Sequence, residues 1–263
     1  MRPIFAAALM LAVTAPALAI EPYTPLPLKP AELVTPPEDF IADVSAFLAA
    51  IKSGDGEAIQ KGMASKITGI DGALDLHVSR RKEVIGPHDE VENMLSELAN
   101  FIGGIVQEPA EGGDPRPLRI QAEREYIVAA LSDDQAWGRD PMVKDAICSY
   151  AYRSFDLKAI KKLSDATGVA SSSFVYVNAP TELKATPSDS APAVGTLETD
   201  RLYALDYDTD APRKWIAIYL PDGSSGFVNF DKVALEKPYA AGVCFSKGAD
   251  GRWVMVAQTS TSL

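Results

Sequence analysis

The chain has 263 residues, 47% of them hydrophobic, and a formal net charge of −11. So acidic a surface repels nucleic-acid phosphates and anionic lipid headgroups, and no basic stretch with interleaved aromatics offsets it, which excludes both as expected partners. The length suits one large or two small domains, each able to bury a core.

The first residues read MRPIFAAALMLAVTAPALA. Arg2 supplies a positive start, residues 4–13 are all apolar, and Ala17-Leu18-Ala19 fits a small-x-small cleavage pattern. This predicts a secretory signal peptide over 1–19, cut near Ala19; the apolar run is too short to span a bilayer. Charges interrupt every later apolar stretch, so no membrane span is expected. Export to the periplasm or the medium gives the two cysteines, Cys148 and Cys244, an oxidising surrounding in which a thiol pair is expected as a disulfide. The alternative is two buried thiols packing as small hydrophobes.

Residues 20–37, IEPYTPLPLKPAELVTPP, hold six prolines and predict an extended surface segment. Thr35 before Pro36 reads as a helix N-cap. In PEDFIADVSAFLAAIKSGDG the residues Phe40, Ile41, Val44, Phe47, Leu48 and Ile51 form one helical stripe, ended by Gly54. A short second helix is expected over GEAIQKGMAS, then turns with at most a short strand over 67–86. DEVENMLSELANFIGG is the clearest helix: Asp89 as cap, an apolar face from Val91 to Ile102, and Gly103-Gly104 as stop. A further helix is expected over about 119–131, and DLKAIKKLSDATG is a capped helix from Asp156 to Gly168. Residues 38–168 thus read as a mostly helical domain. From Phe174 the pattern changes to short alternating runs split by turn residues: FVYV, ELKAT, APAVGTL, RLYALDY, KWIAIYL, GFVNF, GVCFS and RWVMVAQ. That spacing predicts a small antiparallel barrel or sandwich over 174–263.

Within this stretch LKATPS (Leu183 to Ser188), VGTL around Gly195, KWIAI around Trp215 and DGSSGFV with Gly226 and Phe227 resemble the bacterial Src-homology-3-like domain of exported and cell-wall-associated proteins. Two features depart from it: Lys184 stands where arginine is common, and Thr199-Asp200 replaces a glycine-containing turn. The resemblance implies an SH3-like β-barrel. The whole order of helices, barrel and last hairpin resembles a broader group of exported bacterial proteins of uncharacterised function, in which the hairpin adds to the barrel. The expected fold is therefore α+β: a mostly helical N-terminal domain, then an SH3-like β-barrel with an added C-terminal hairpin. Cys244 on that hairpin would reach back to Cys148 and staple the two domains together.

For chemistry, DAICSYAY around Cys148 resembles the nucleophile segment of Cys-His cell-wall peptidases. Both histidines, His77 and His88, precede the cysteine, Ile147 stands where that family has Asp, and a disulfide would remove the thiolate. No catalytic residue is assigned. His77 and His88 lack metal-site spacing. DYDTDAP from Asp206 puts acids at alternate positions like the start of a calcium loop, but Ala211 and Ala217 fill the glycine and glutamate positions. The bland reading, an acidic turn over Asp206–Asp210, is preferred, and no metal or cofactor is expected. Neither a phosphate loop nor a G-x-S-x-G elbow occurs. Asp133, Asp134 and Asp140 read as a solvated loop beside Trp137, a core anchor.

The best expected surface is an aromatic groove for extended peptides, lined from Tyr203, Tyr207, Tyr219, Phe227 and Phe230. Strand alternation lets about half of these face outward. Trp215 is assigned to the core. The leading functional expectation is an exported cell-envelope binding or scaffolding protein recognising a peptide, a protein or a cell-wall peptide. The alternatives are a cell-wall hydrolase with a divergent helical catalytic domain, and a structural or inhibitor protein whose acidic surface meets a basic partner.

Overall fold

The structure is a computed structural model describing residues 20–72, 81–102, 113–132, 136–236 and 241–261. The expected leader with its cut at Ala19, His77, the closing Gly103 and Gly104, and Asp133 and Asp134 lie outside those residues. The proline-rich segment is extended, as read, and contributes a two-residue strand β1 (Leu26–Pro27). Helix α1 (Glu38–Ser53) starts at an N-cap of Pro37, not Thr35. A residue preceding proline is driven out of helical geometry, so the Pro36-Pro37 pair delays the start. Its stripe buries Phe40, Val44, Phe47, Ala50 and Ile51, while Ile41 stays exposed, and Gly54 ends it in the left-handed region at φ 77°.

Helix α2 (Gly56–Lys61), capped by Asp55, stops earlier than expected. The next ten residues are not turns but a full strand, β2 (Met63–Gly72), followed by β3 (Arg81–Ile85). Helix α3 (Val91–Ile102) buries Val91, Met94, Leu95 and Leu98. Helix α4 (Arg116–Ala130), the short β4 (Ile147–Cys148) and α5 (Leu157–Thr167) follow. The cap expected at Asp156 is made: its carboxylate accepts from the amides of Lys158 and Ala159.

Next come β5 (Phe174–Val177), β6 (Thr181–Lys184), β7 (Ala193–Leu197), β8 (Arg201–Ala204), β9 (Trp215–Tyr219), β10 (Ser225–Asn229) and β11 (Leu235–Glu236). They do not close into the expected SH3-like barrel. They divide into two four-stranded sheets, ordered β1-β8-β5-β11 and β7-β6-β10-β9. A single bridge, Leu205 to Ile218, links the two at one corner. Leu183, Leu197, Leu205, Ile218 and Val228 fill the space between them. The other face of the first sheet is covered by α5 and by the proline-rich segment, through Ile160, Tyr23 and Leu28.

The final hairpin, β12 (Gly242–Lys247) and β13 (Trp253–Thr261), corrects the expected architecture most. It does not join the two-sheet unit. β13 lies parallel to β2, β12 lies antiparallel to β4, and the result is a five-stranded sheet ordered β3-β2-β13-β12-β4. The N-terminal part is therefore no mostly helical domain. Helix and strand take near-equal shares of the described residues, 30% and 29%. Helices α1 to α4 pack on one face of this sheet, where Phe245 meets the rings of Phe40 and Phe47 edge-on, each at 5.8 Å between centroids.

Cys148 and Cys244 are bonded and sit opposite each other on β4 and β12. The expected pairing is present, but it joins neighbours within one sheet. Val243 and Phe245 face the helices, and Cys244 points to the other face among Ile70, Ala146 and Ala257, the alternation a strand imposes. Since 96 residues separate the two cysteines, α5 and strands β5 to β11 form an insertion between adjacent strands of the five-stranded sheet, and β1 joins them from outside it.

Candidate functional site

The structure separates the five aromatics expected to share a groove. Tyr203 is buried, and its hydroxyl accepts from the Glu198 amide at 2.8 Å. Tyr219 is buried beneath the proline-rich segment. Phe227 is half-buried, whereas Tyr207 and Phe230 are 71% and 46% exposed. Both exposed rings lie at the end of the sheet where β9 begins, since Phe230 donates to Lys214 and Asp206 to Ala217. Trp215 is not in the core. It pairs with Asn229 and shares the half-exposed outer face with Phe227, because Ile216 and Ile218 take the inner positions.

Asp206 organises the acidic turn. Its carboxylate accepts from the Asp208 and Thr209 amides at 3.0 Å each, from the Thr209 hydroxyl at 2.6 Å, and from Ser225. Burial pushes this carboxyl up, but the hydrogen bonds from Ser225 and Thr209 outweigh that and hold it below the usual carboxylate range. Its oxygens are committed to the loop. Among the described residues no three carboxylate, histidine or cysteine side chains gather to hold a metal ion.

The side chains that converge are elsewhere, in a cleft of about 660 Å³ where the insertion leaves the five-stranded sheet. Pro30 and Leu33 of the proline-rich segment line it together with Tyr150 and Ala151, here termed its floor, and with Tyr176 and Asn178. Leu33 is 68% exposed. Arg153 sits among them, with its guanidinium carbon 4.7 Å from the Tyr176 ring centroid. Nη2 donates to Asn178 Oδ1 at 3.1 Å, and Nη1 pairs with the Asp200 carboxylate. A guanidinium offers five N–H donors, more than these two acceptors take. Stacking and two fixed acceptors thus hold a cation beside an apolar wall.

The Asp200 turn explains one departure noted in the sequence. Asp200 has φ 57°, the left-handed position that glycine would otherwise supply, and Asp is among the residues that tolerate it. In exchange its side chain holds Arg153, and its carbonyl accepts from the Leu28 amide at 2.8 Å.

Behind the floor is a buried polar chain. The Tyr150 hydroxyl donates to Asp140 Oδ2 at 2.8 Å and meets Thr259 Oγ1 at 2.6 Å. Asp140 is 2% exposed, so it is no solvated loop residue; it also accepts from the Met142 amide at 2.8 Å. Trp137 packs its ring against Phe40, 4.9 Å between centroids. Glu123 of α4 is fully buried and accepts from Gln258 Nε2 at 3.2 Å. Burial pushes the Glu123 carboxyl up to about 8, with the Gln258 hydrogen bond pulling only partly back. The remaining oxygens, Glu123 Oε1 and Gln258 Oε1, have no protein partner. A proton on Glu123 supplies the donor that a site with two acceptors needs.

His88 pairs with Glu97. Cys148 holds no thiolate, since its sulfur is bonded to Cys244. Sequence reading missed Arg153, Tyr176, Asn178, Glu123 and Gln258. The available signal was YAYRS, an arginine closely preceded by two tyrosines, and a lone Glu on the apolar side of the helix from Arg116. Comparison with known protein families, with curated proteins and with solved structures finds no match to this chain.

Proposed function

We propose that the protein is an exported cell-envelope protein that works by binding or scaffolding, taking an extended peptide, a protein segment or a cell-wall peptide in the Arg153 cleft. One observation carries this reading: a guanidinium held in place by Tyr176, Asn178 and Asp200 beside the exposed Leu33. Such a pairing of fixed donor and apolar wall fits a peptide carbonyl or carboxylate with an adjoining side chain. The resemblance of residues 182–233 to the bacterial Src-homology-3-like domain of exported and cell-wall-associated proteins supports the envelope part of this reading and not the cleft. So does the disulfide, which is compatible with an oxidising compartment. Among the described residues no helix is long and apolar enough to cross a membrane.

The test is retention of the purified protein on isolated peptidoglycan and on immobilised stem peptides. Retention is expected, with Arg153→Ala weakening it about tenfold or more and Arg153→Lys restoring part of it. No retention, or equal retention of Arg153→Ala, rejects the proposal.

A further inference from the structure

The proline-rich segment sits on its sheet in the manner of a bound peptide. Leu26 and Pro27 pair antiparallel with Leu202 and Arg201, and β1 is the outermost strand. The Tyr23 amide donates to Pro221 O and the Leu28 amide to Asp200 O, both at 2.8 Å. The inward side chains are spaced two and then three residues apart. Tyr23, Pro25 and Leu28 are buried, while Pro22, Thr24, Pro27 and Lys29 are exposed.

Tyr23 is the largest of these anchors. It enters a pocket made by Phe174, Tyr176, Leu202, Ala204 and Tyr219. At the bottom its hydroxyl donates to Tyr219 O at 2.7 Å and accepts from the Ala204 amide at 3.3 Å. The rim is shaped for close passage of a backbone. Gly223 has φ 84°, and a Cβ there would come within 2.0 Å of Ile20 O.

We propose that the edge of β8 with this tyrosine pocket is a recognition site for an extended, proline-rich peptide carrying tyrosine, and that residues 20–29 are its resident intramolecular ligand. Main-chain pairing supplies affinity independent of sequence, and the pocket supplies selectivity. Prolines at 22, 25, 27 and 30 keep the segment extended before it docks, which lowers the entropy lost on seating it. When the segment lifts, β8 becomes the sheet edge and the pocket opens to a peptide of the same chemistry. This seat adjoins the Arg153 cleft and shares Tyr176 and Asp200 with it, but it is filled by Tyr23 and not by Arg153, so peptide binding to it is read independently of the Arg153 substitutions.

The experiment uses the full chain and a fluorescent peptide of residues 20–30, IEPYTPLPLKP. The Tyr23→Ala protein, whose own segment is weakened, is expected to bind the peptide about tenfold or more tighter than the unmodified protein does. The same peptide with alanine replacing its tyrosine is expected to lose that affinity. Adding Gly223→Ala to the Tyr23→Ala protein should abolish binding by closing the rim. Absence of peptide binding to a folded Tyr23→Ala protein overturns the proposal. A dimer that excludes the peptide also overturns it, since it assigns the seat to a second copy.

Should Tyr23→Ala fail to fold, hydrogen exchange on the unmodified protein decides the matter. The amides of Tyr23 and Leu28 should exchange much faster than those of Phe174–Val177. Equal protection means the segment never lifts, and the proposal falls.

Discussion

The five-stranded sheet gathers strands from positions as distant as Met63 and Thr261, whereas β5 to β10 run in sequence from Phe174 to Asn229. The first sheet rests on non-local pairings: β2 against β13 in parallel, and β4 against β12 beside a disulfide. The second unit has two hairpins, β6 with β7 and β9 with β10, joined to pairings of β5 with β8 and β11 and of β6 with β10 across shorter stretches of chain, and its most distant contribution is the proline-rich strand at its edge. Two different kinds of stability follow. In the first unit, long loops must close before β13 meets β2 or β12 meets β4, where core rings and one covalent bond hold distant strands together. In the second, turns set register only within its two hairpins, shorter loops bring the remaining strands together, and the proline-rich strand covers one edge.

The sharpest way to break this contrast is Phe245→Ala. The ring is fully buried and touches Phe40 and Phe47, so a loss of about 3–5 kcal/mol is expected in denaturant unfolding. Replacing both cysteines by serine comes next. Opening a closed loop of this length costs about 4 kcal/mol in the chain-entropy picture, read as a lower melting temperature that reductant imposes equally on the unmodified protein.

Glu123→Gln sharpens the comparison through pH. The carboxyl titrates at about 8 in the fold against an ordinary 4.5. The folded state therefore holds a proton that the unfolded chain releases, and stability falls as pH rises from about 4.5 to 8. Glutamine should flatten that slope and leave the variant roughly 2–4 kcal/mol more stable than the unmodified protein at pH 8, measured by urea unfolding across pH. A slope that survives the substitution would place the titration elsewhere. At the edge of the second unit Tyr23→Phe removes two hydrogen bonds and keeps the ring, for a loss of about 1 kcal/mol in thermal unfolding. Tyr207→Ala, on an exposed ring, should stay within about 0.5 kcal/mol.

The same contrast explains what could be read from the sequence. Runs such as FVYV and KWIAIYL are strands because alternation and turn residues are local signals. The helices from Glu38, Val91 and Leu157 were legible for the same reason. β2 was not, because Met63–Gly72 becomes a strand only when β13 lies beside it. The hairpin of β12 and β13 was visible as a hairpin, yet nothing within it says which sheet receives it. The expected groove failed in a related way. Tyr203 and Trp215 traded the assigned roles of surface and core because alternation fixes which residues share a face and not which face is inside. Arg153 lay unseen because Tyr176, Asn178 and Asp200 reach it from separate strands and turns.

The position of the disulfide has a further consequence for the covalent shape of the molecule. With Cys148 and Cys244 joined at adjacent strands, everything spliced between them is a closed ring, on which the proline-rich segment of the host also rests. A protease nick anywhere on that ring leaves one molecule until a reductant is added. Antiparallel neighbours such as β4 and β12 need only a tight turn between them, so excising the ring would leave their pairing possible while stripping the proline-rich strand β1 of its partner β8.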